Sequence, residues 1–153
     1  MSGIIGGAGS KSGIIGETEI DYEEGSWTPL IDGASSTSGQ SYNTQDGTYT
    51  KIGSMVHAQC MINLASKGTI SGFLRINGLP FNVSPGAQSG ATFGYQIGFN
   101  MSAGNSLRGW AYANNMMYLL QGATGNTDTS QISTSHIDSA VVLAMQVTYS
   151  TAE

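Results

Sequence analysis

Charge is scarce in this chain. Only 10% of its 153 residues are Asp, Glu, Lys or Arg, against ~25% in an average soluble domain. The five basic residues face ten acidic ones, a net charge of −5. That balance argues against a nucleic-acid partner, which needs a basic patch to displace counterions. Cysteine is almost missing: Cys60 stands alone, so no intrachain disulfide forms and synthesis in a reducing compartment, the cytoplasm, is expected. No apolar run approaches the roughly 18 residues of a membrane-spanning helix. The opening MSGIIGGAGS has neither a basic start nor a sustained apolar stretch, so no secretory signal is expected. Histidine is limited to His57 and His136. Two imidazoles without a third ligand at metal spacing argue for ordinary surface or intersubunit roles, and neither a metal nor another cofactor is expected.

Glycine (22 residues) and the uncharged polar side chains replace the missing charge. A polar but weakly ionic surface tolerates close contact with other protein, as in subunits of large assemblies and secreted β-proteins. The length suits one domain, which buries roughly two-thirds of its unfolded surface. Residues 1–26 differ from the rest. Ser-Gly-Ile-Ile-Gly occurs at Ser2–Gly6 and again at Ser12–Gly16, and an acidic stretch comes next with Glu17, Glu19, Asp21, Glu23 and Glu24. We read 1–26 as an extended arm and 27–153 as the folded domain. Burial of Ile4, Ile5, Ile14 and Ile15 on a partner contributes about 1.5–3 kcal/mol each. Glu17, Glu19, Asp21 and Glu23 fall on one side of an extended segment, a negative stripe that is either solvated or set against a basic partner.

From Trp27 the pattern alternates. In Ser54–Leu64, Val56, Ala58, Cys60, Ile62 and Leu64 share one face, while Met55, His57, Gln59, Met61 and Asn63 share the other. Period two is the mark of a half-buried strand. Ala91–Met101 predicts the same, with Ala91, Phe93, Tyr95, Ile97, Phe99 and Met101 inward. Ser139–Tyr149 does so with Val141, Leu143, Met145, Val147 and Tyr149. Trp27–Ile31, Gly47–Ile52, Phe73–Asn77, Leu107–Ala113 and Met116–Gln121 are shorter strands, the last two joined by an Asn114-Asn115 turn, since Asn tolerates positive φ. Breaks rich in Gly, Pro and Ser separate the others, and no segment holds a helical period. About eight strands at this spacing predict an all-β, jelly-roll-like antiparallel sandwich.

Asp21-Tyr22-Glu23-Glu24-Gly25-Ser26-Trp27-Thr28-Pro29, then Gly47-Thr48-Tyr49-Thr50-Lys51-Ile52-Gly53, then Ile76-Asn77-Gly78-Leu79-Pro80-Phe81 form an ordered series. It resembles the "EGTWTP … YTKIG … GLPF" series of phage head-decoration proteins and tail-fibre tip modules. The likeness runs over roughly residues 16–81. Glu24, Gly25, Trp27, Thr28, Pro29, Tyr49, Lys51, Gly53, Gly78, Leu79, Pro80 and Phe81 carry it. The resemblance implies a virion β-sandwich that assembles as a homotrimer. Fibre proteins of this kind carry a long repetitive stem ahead of the tip, and only 26 residues precede Trp27 here. The expected role is therefore a cement protein on the capsid surface that binds the major capsid protein or other virion proteins through its arms. The alternative is a tail-fibre or tailspike tip that binds a host receptor, a glycan included.

Catalytic signatures are missing. Gly6–Ser12 lacks the glycines of a phosphate loop, with Ser10 and Ile5 at their places. The acidic stretch does not match the spacing of an EF-hand. Cys60 lies on an apolar face, where a thiol is inert. No Gly-x-Ser-x-Gly elbow marks a serine nucleophile. Beyond residue 24, Asp32, Asp46, Asp128, Asp138 and Glu153 sit in loop-like or terminal sequence, and no enzyme is expected. Met55 and Met61 on an outward strand face, and Trp110 with Met116, Met117 and Tyr118, are surface-leaning apolar groups. They mark an oligomer or partner interface, with ordinary core as the competing reading. For the receptor alternative, Trp110, Tyr112 and Tyr118 with Asn114 and Asn115 are the glycan candidates.

Overall fold

The computed structural model describes residues 21–123 and 128–152. They form ten strands: β1 (Tyr22–Trp27), β2 (Leu30–Gly33), β3 (Ser41–Ile52), β4 (Met55–Ser66), β5 (Leu74–Asn77), β6 (Ser89–Phe99), β7 (Asn105–Ala113), β8 (Met116–Ala123), β9 (Ser130–Gln131) and β10 (Ile137–Ser150). The single helical piece among the described residues is a 3-10 turn at Thr134–His136. Every segment with strict alternation is a strand. Asn114 takes φ 54° at the turn between β7 and β8, as its side chain permits. The first strand begins earlier than the alternation implies: Tyr22–Ser26, expected in the arm, pair with Thr48–Ile52. Ile4, Ile5, Ile14, Ile15, Glu17 and Glu19 lie outside the described residues.

All pairings are antiparallel and belong to one ladder, in the order β1-β3-β4-β10-β6-β7-β8-β5-β2, with β9 added to β8. The all-β antiparallel class is as expected. The strands share one curled sheet instead of dividing into two separately paired ones. Its edges, β1 and β2, are consecutive in sequence. Pro29 carries no N–H and cannot extend a ladder, so the chain leaves β1 at Trp27 and reaches the opposite edge at Leu30. Side chains close the seam. The Tyr42 hydroxyl accepts from the Ile31 N–H and donates to the Ile31 carbonyl, both at 3.0 Å. The amide of Gln40 donates to the same carbonyl at 3.2 Å, and that of Gln45 to the Pro29 carbonyl at 2.8 Å.

The inside of the curl is the core. Val56, Ala58, Cys60, Ile62 and Leu64 from β4 meet Val141, Leu143, Met145, Val147 and Tyr149 from β10, all buried. Ile31, Leu74, Ile76, Leu119 and Ile132 complete it. Met117, expected with the surface-leaning group, is fully buried because it alternates with the outward Met116 and Tyr118. Strand β6 departs more. Ala91 and Phe93 pack inward, but Gly94 has no opposite residue: Phe93 pairs with Met145 and Tyr95 with Ala144. One extra residue reverses the faces of the strand over Tyr95–Ile97, and a second register shift before Phe99 returns Phe99 and Met101 to the core as expected. Tyr95 and Ile97 therefore point outward, 52% and 50% exposed.

Candidate functional site

The three resemblance motifs meet in space. Trp27 is buried, and its indole N–H is shared between the carbonyls of Thr48 (3.3 Å) and Gln59 (3.2 Å). Gly47 makes room, since a Cβ there would stand 2.5 Å from the indole nitrogen. Gly25 does the same for Tyr49, whose hydroxyl would lie 2.8 Å from a Cβ. The Tyr49 ring meets Phe81 edge-on, centroids 5.3 Å apart. Lys51, also buried, pairs with Asp21 and sits 5.7 Å from the Phe81 ring centroid, in cation–π range. Gly53 turns the β3–β4 hairpin at φ 55°, its N–H bonded to the Asp21 carbonyl at 2.7 Å. Gly78 (φ 86°) lets the chain pass the Thr28 carbonyl, Leu79 is buried with its N–H on the Asn115 carbonyl, and Pro80 lies between it and Phe81. Of the twelve residues that carry the resemblance, only Glu24 and Thr28 are exposed. The motif residues hold the fold together, and we assign them no ligand.

Other expected groups are also engaged internally. Glu23 accepts from the Tyr49 hydroxyl at 2.6 Å and Glu24 from that of Tyr22 at 2.7 Å, which raises both phenol pKa values. The part of the acidic stripe that is described thus meets β1–β3 groups of its own domain. His57 Nδ1 lies 3.0 Å from the Thr148 hydroxyl, and His136 caps the 3-10 turn through Ser133. Burial pushes the Cys60 thiol up to about 12. Asp32, Asp46 and Asp138 stand on strands, not loops. Asp32 is buried and takes Arg75 through two contacts, 3.0 and 3.1 Å. No group of three potential metal ligands occurs among the described residues.

Trp110, Tyr112 and Tyr118 do come together, on the outer face of β7 and β8. Trp110 pairs with Tyr118 across the ladder, and Tyr112 is the extra residue of a bulge between Ala111 and Ala113. Their ring centroids lie 4.5 Å (Trp110–Tyr112), 6.2 Å (Trp110–Tyr118) and 6.5 Å (Tyr112–Tyr118) apart. The indole N–H is held by the Gln88 side chain at 3.2 Å, which orients the ring. The alternate residues Ala111, Met117 and Leu119 are buried, so a rigid core backs the face. Arg75 lies opposite Tyr118 on the other flank. A cleft of about 400 Å³ opens beside Trp110, lined by Arg108, Gly109, Leu120, Thr129 and Gln131. Apolar rings bordered by amide, hydroxyl and guanidinium groups suit a ligand with both C–H faces and hydroxyls. Arg108 and this cleft escaped the sequence reading, although Arg108, Trp110 and Tyr112 alternate on one strand.

A second outer surface crosses β3, β4, β10 and β6. Pairing sets Asp46, Met61, Ala144 and Tyr95 in one row, with Asn63, Val142 and Ile97 in the next. Met61 is 37% exposed. Met55 is exposed farther along β4, next to Ile52 and Tyr22. A shallow groove of about 530 Å³ runs along the first row past Gly94.

The fold is thus an all-antiparallel, single-sheet body with an aromatic outer face. Neither a family model nor a curated protein matches the sequence. Among solved structures, the fold is similar to the crystal structure of Dettilon tailspike protein, with a TM-score of 0.70 and 14% sequence identity. The likeness covers 84% of this chain and 24% of that one. The chain therefore spans about a quarter of the tailspike, and the likeness is one of fold.

Proposed function

We propose that this chain is a phage virion module of the tail, a tailspike or tail-fibre domain that binds a glycan of the host surface through Trp110, Tyr112 and Tyr118. The observation that carries the reading is the aromatic cluster itself: three rings on one outer sheet face, Tyr112 exposed and Trp110 and Tyr118 half-buried, with Trp110 oriented by Gln88 and bordered by polar groups. Sugar rings present apolar C–H faces that stack on aromatics, and their hydroxyls bond to adjacent amides and charged groups. The fold likeness to a tailspike supports the same placement. Binding is non-covalent, with no catalytic step assigned. We place the cement reading second: the residues that would attach it, Ile4, Ile5, Ile14, Ile15, Glu17 and Glu19, lie outside the described residues, and the fold likeness is to a tail protein.

The outer surface of β3, β4, β10 and β6 supports assembly with other virion subunits, including two further copies of this chain as a homotrimer. Exposed apolar side chains in adjacent rows are what an oligomer covers. Two experiments test the proposal. Antibody labelling of phage particles is expected at the tail, and labelling spread over the head would overturn it. Purified protein is expected to be retained on host surface polysaccharide and released by Trp110→Ala.

A further inference from the structure

We propose that the cleft beside Trp110 selects sugars that bear a carboxylate, with Arg108 as the anion-binding group; this rests on the proposed glycan binding. Four basic side chains are described, and three are occupied. Lys51 pairs with Asp21, Arg75 grips Asp32 through Nε and a terminal nitrogen, and Lys67 gives its ammonium to the Thr134 and Ile137 carbonyls at 3.1 and 2.9 Å. Arg108 meets no carboxylate among the described residues. Its guanidinium donates to the Ala123 carbonyl over a long 3.4 Å. A guanidinium has five N–H donors in a planar fork that fits a carboxylate bidentately, so most of that capacity faces the cleft unspent.

The group is also held in place. Arg108 lies across Gly122, where a Cβ would stand 3.1 Å from the guanidinium carbon and 3.2 Å from Nε. The same Cβ would press on Thr129 at 3.1 Å. Glycine at 122 therefore clears the berth that aims the fork at the cleft. Trp110 forms the adjacent wall, so one sugar can stack on the indole and set an acid group against Arg108. The opposite flank lacks this property, because Arg75 beside Tyr118 is already neutralised by Asp32. The chain's net charge of −5 supplies no general attraction for anions, so the selection is local to Arg108.

The full chain is titrated with oligogalacturonide and with α2,8-linked oligosialic acid, each beside its carboxyl-reduced counterpart. The two acids separate a hexuronate from a nonulosonate source of the carboxylate. At least one acid is expected to bind about tenfold or more tightly than its reduced form, in line with a charge-assisted bond. Arg108→Gln is expected to collapse that ratio to near one. Arg108→Lys keeps a point charge without the fork and is expected to restore part of it. Unchanged thermal unfolding of both variants ensures that the ratio reports binding. Equal affinity for acid and reduced sugar, or a ratio that survives Arg108→Gln, overturns the inference while leaving glycan binding intact. Failure of every sugar to bind the unaltered chain overturns both readings.

Discussion

The Tyr149 hydroxyl closes on the backbone of Phe81, accepting from its N–H at 3.2 Å and donating to its carbonyl at 3.1 Å. Tyr42 treats Ile31 in the same way on the far side of the curl. One phenol thus satisfies both polar groups of a residue that belongs to no ladder, and pins the 78–87 connection against β10. Tyr149→Phe keeps the ring and removes both bonds, leaving the Phe81 N–H and carbonyl short of partners. The expected loss is about 1–3 kcal/mol in denaturant unfolding. A change below a few tenths would mean that water replaces the hydroxyl without cost.

The same burial makes stability fall at alkaline pH. Tyr149 is pushed up to about 12 from an ordinary 10.0, chiefly by desolvation, and Cys60 to about 12 from 9.0. A raised folded-state value means that the unfolded chain releases its proton first. The contribution is intact below the unfolded values and is lost as pH climbs through about 9–12. Tyr149→Phe and Cys60→Ala are expected to flatten the decline there. Native Cys60 is also expected to resist thiol alkylation at pH 8 until the protein unfolds.

Glycine positions separate by what surrounds them. Gly47→Ala forces a methyl group to 2.5 Å from the indole nitrogen of the buried, doubly bonded Trp27, and about 1–3 kcal/mol of destabilisation is expected. Gly94→Ala meets nothing within 4 Å at an ordinary φ and is expected to fall within about 0.5 kcal/mol of the parent. Thermal melts of the two variants check the contrast.

Self-association is tested on the outer row. Ile97 is half-exposed beside Val142 and Tyr95, and Ile97→Asp sets a charge in a surface that a second copy would dry. Sedimentation is expected to move from trimer to monomer with the fold retained. A trimer that survives the change would place the contact elsewhere.

Much of the fold was legible because period-two alternation is imposed by the pleat itself: β4 and β10 bury the residues their spacing implied. The limits were non-local. Gly94 is the bulge residue, but Gly90 and Gly98 stand in the same strand, so glycine alone did not locate it. Which residues it turned outward depended on the register of β6 against β10. The seam closure by Tyr42 and the berth of Arg108 on Gly122 join residues far apart in sequence or on facing strands, where no local pattern registers. Of the site, Trp110, Tyr112 and Tyr118 are readable as glycan candidates, but their convergence requires the β7–β8 pairing. Met117 faces inward because it alternates with Met116 and Tyr118, a distinction that closeness in sequence does not show.

Glycan binding by the β7–β8 aromatic face is read out by calorimetric titration of the host's surface oligosaccharide into the chain and into Trp110→Ala. Loss of one stacked ring is expected to weaken binding at least tenfold, with circular dichroism and melting temperature unchanged because the indole lies on the outer face. Equal affinity in the two proteins, or no binding by the unaltered chain, would contradict the claim.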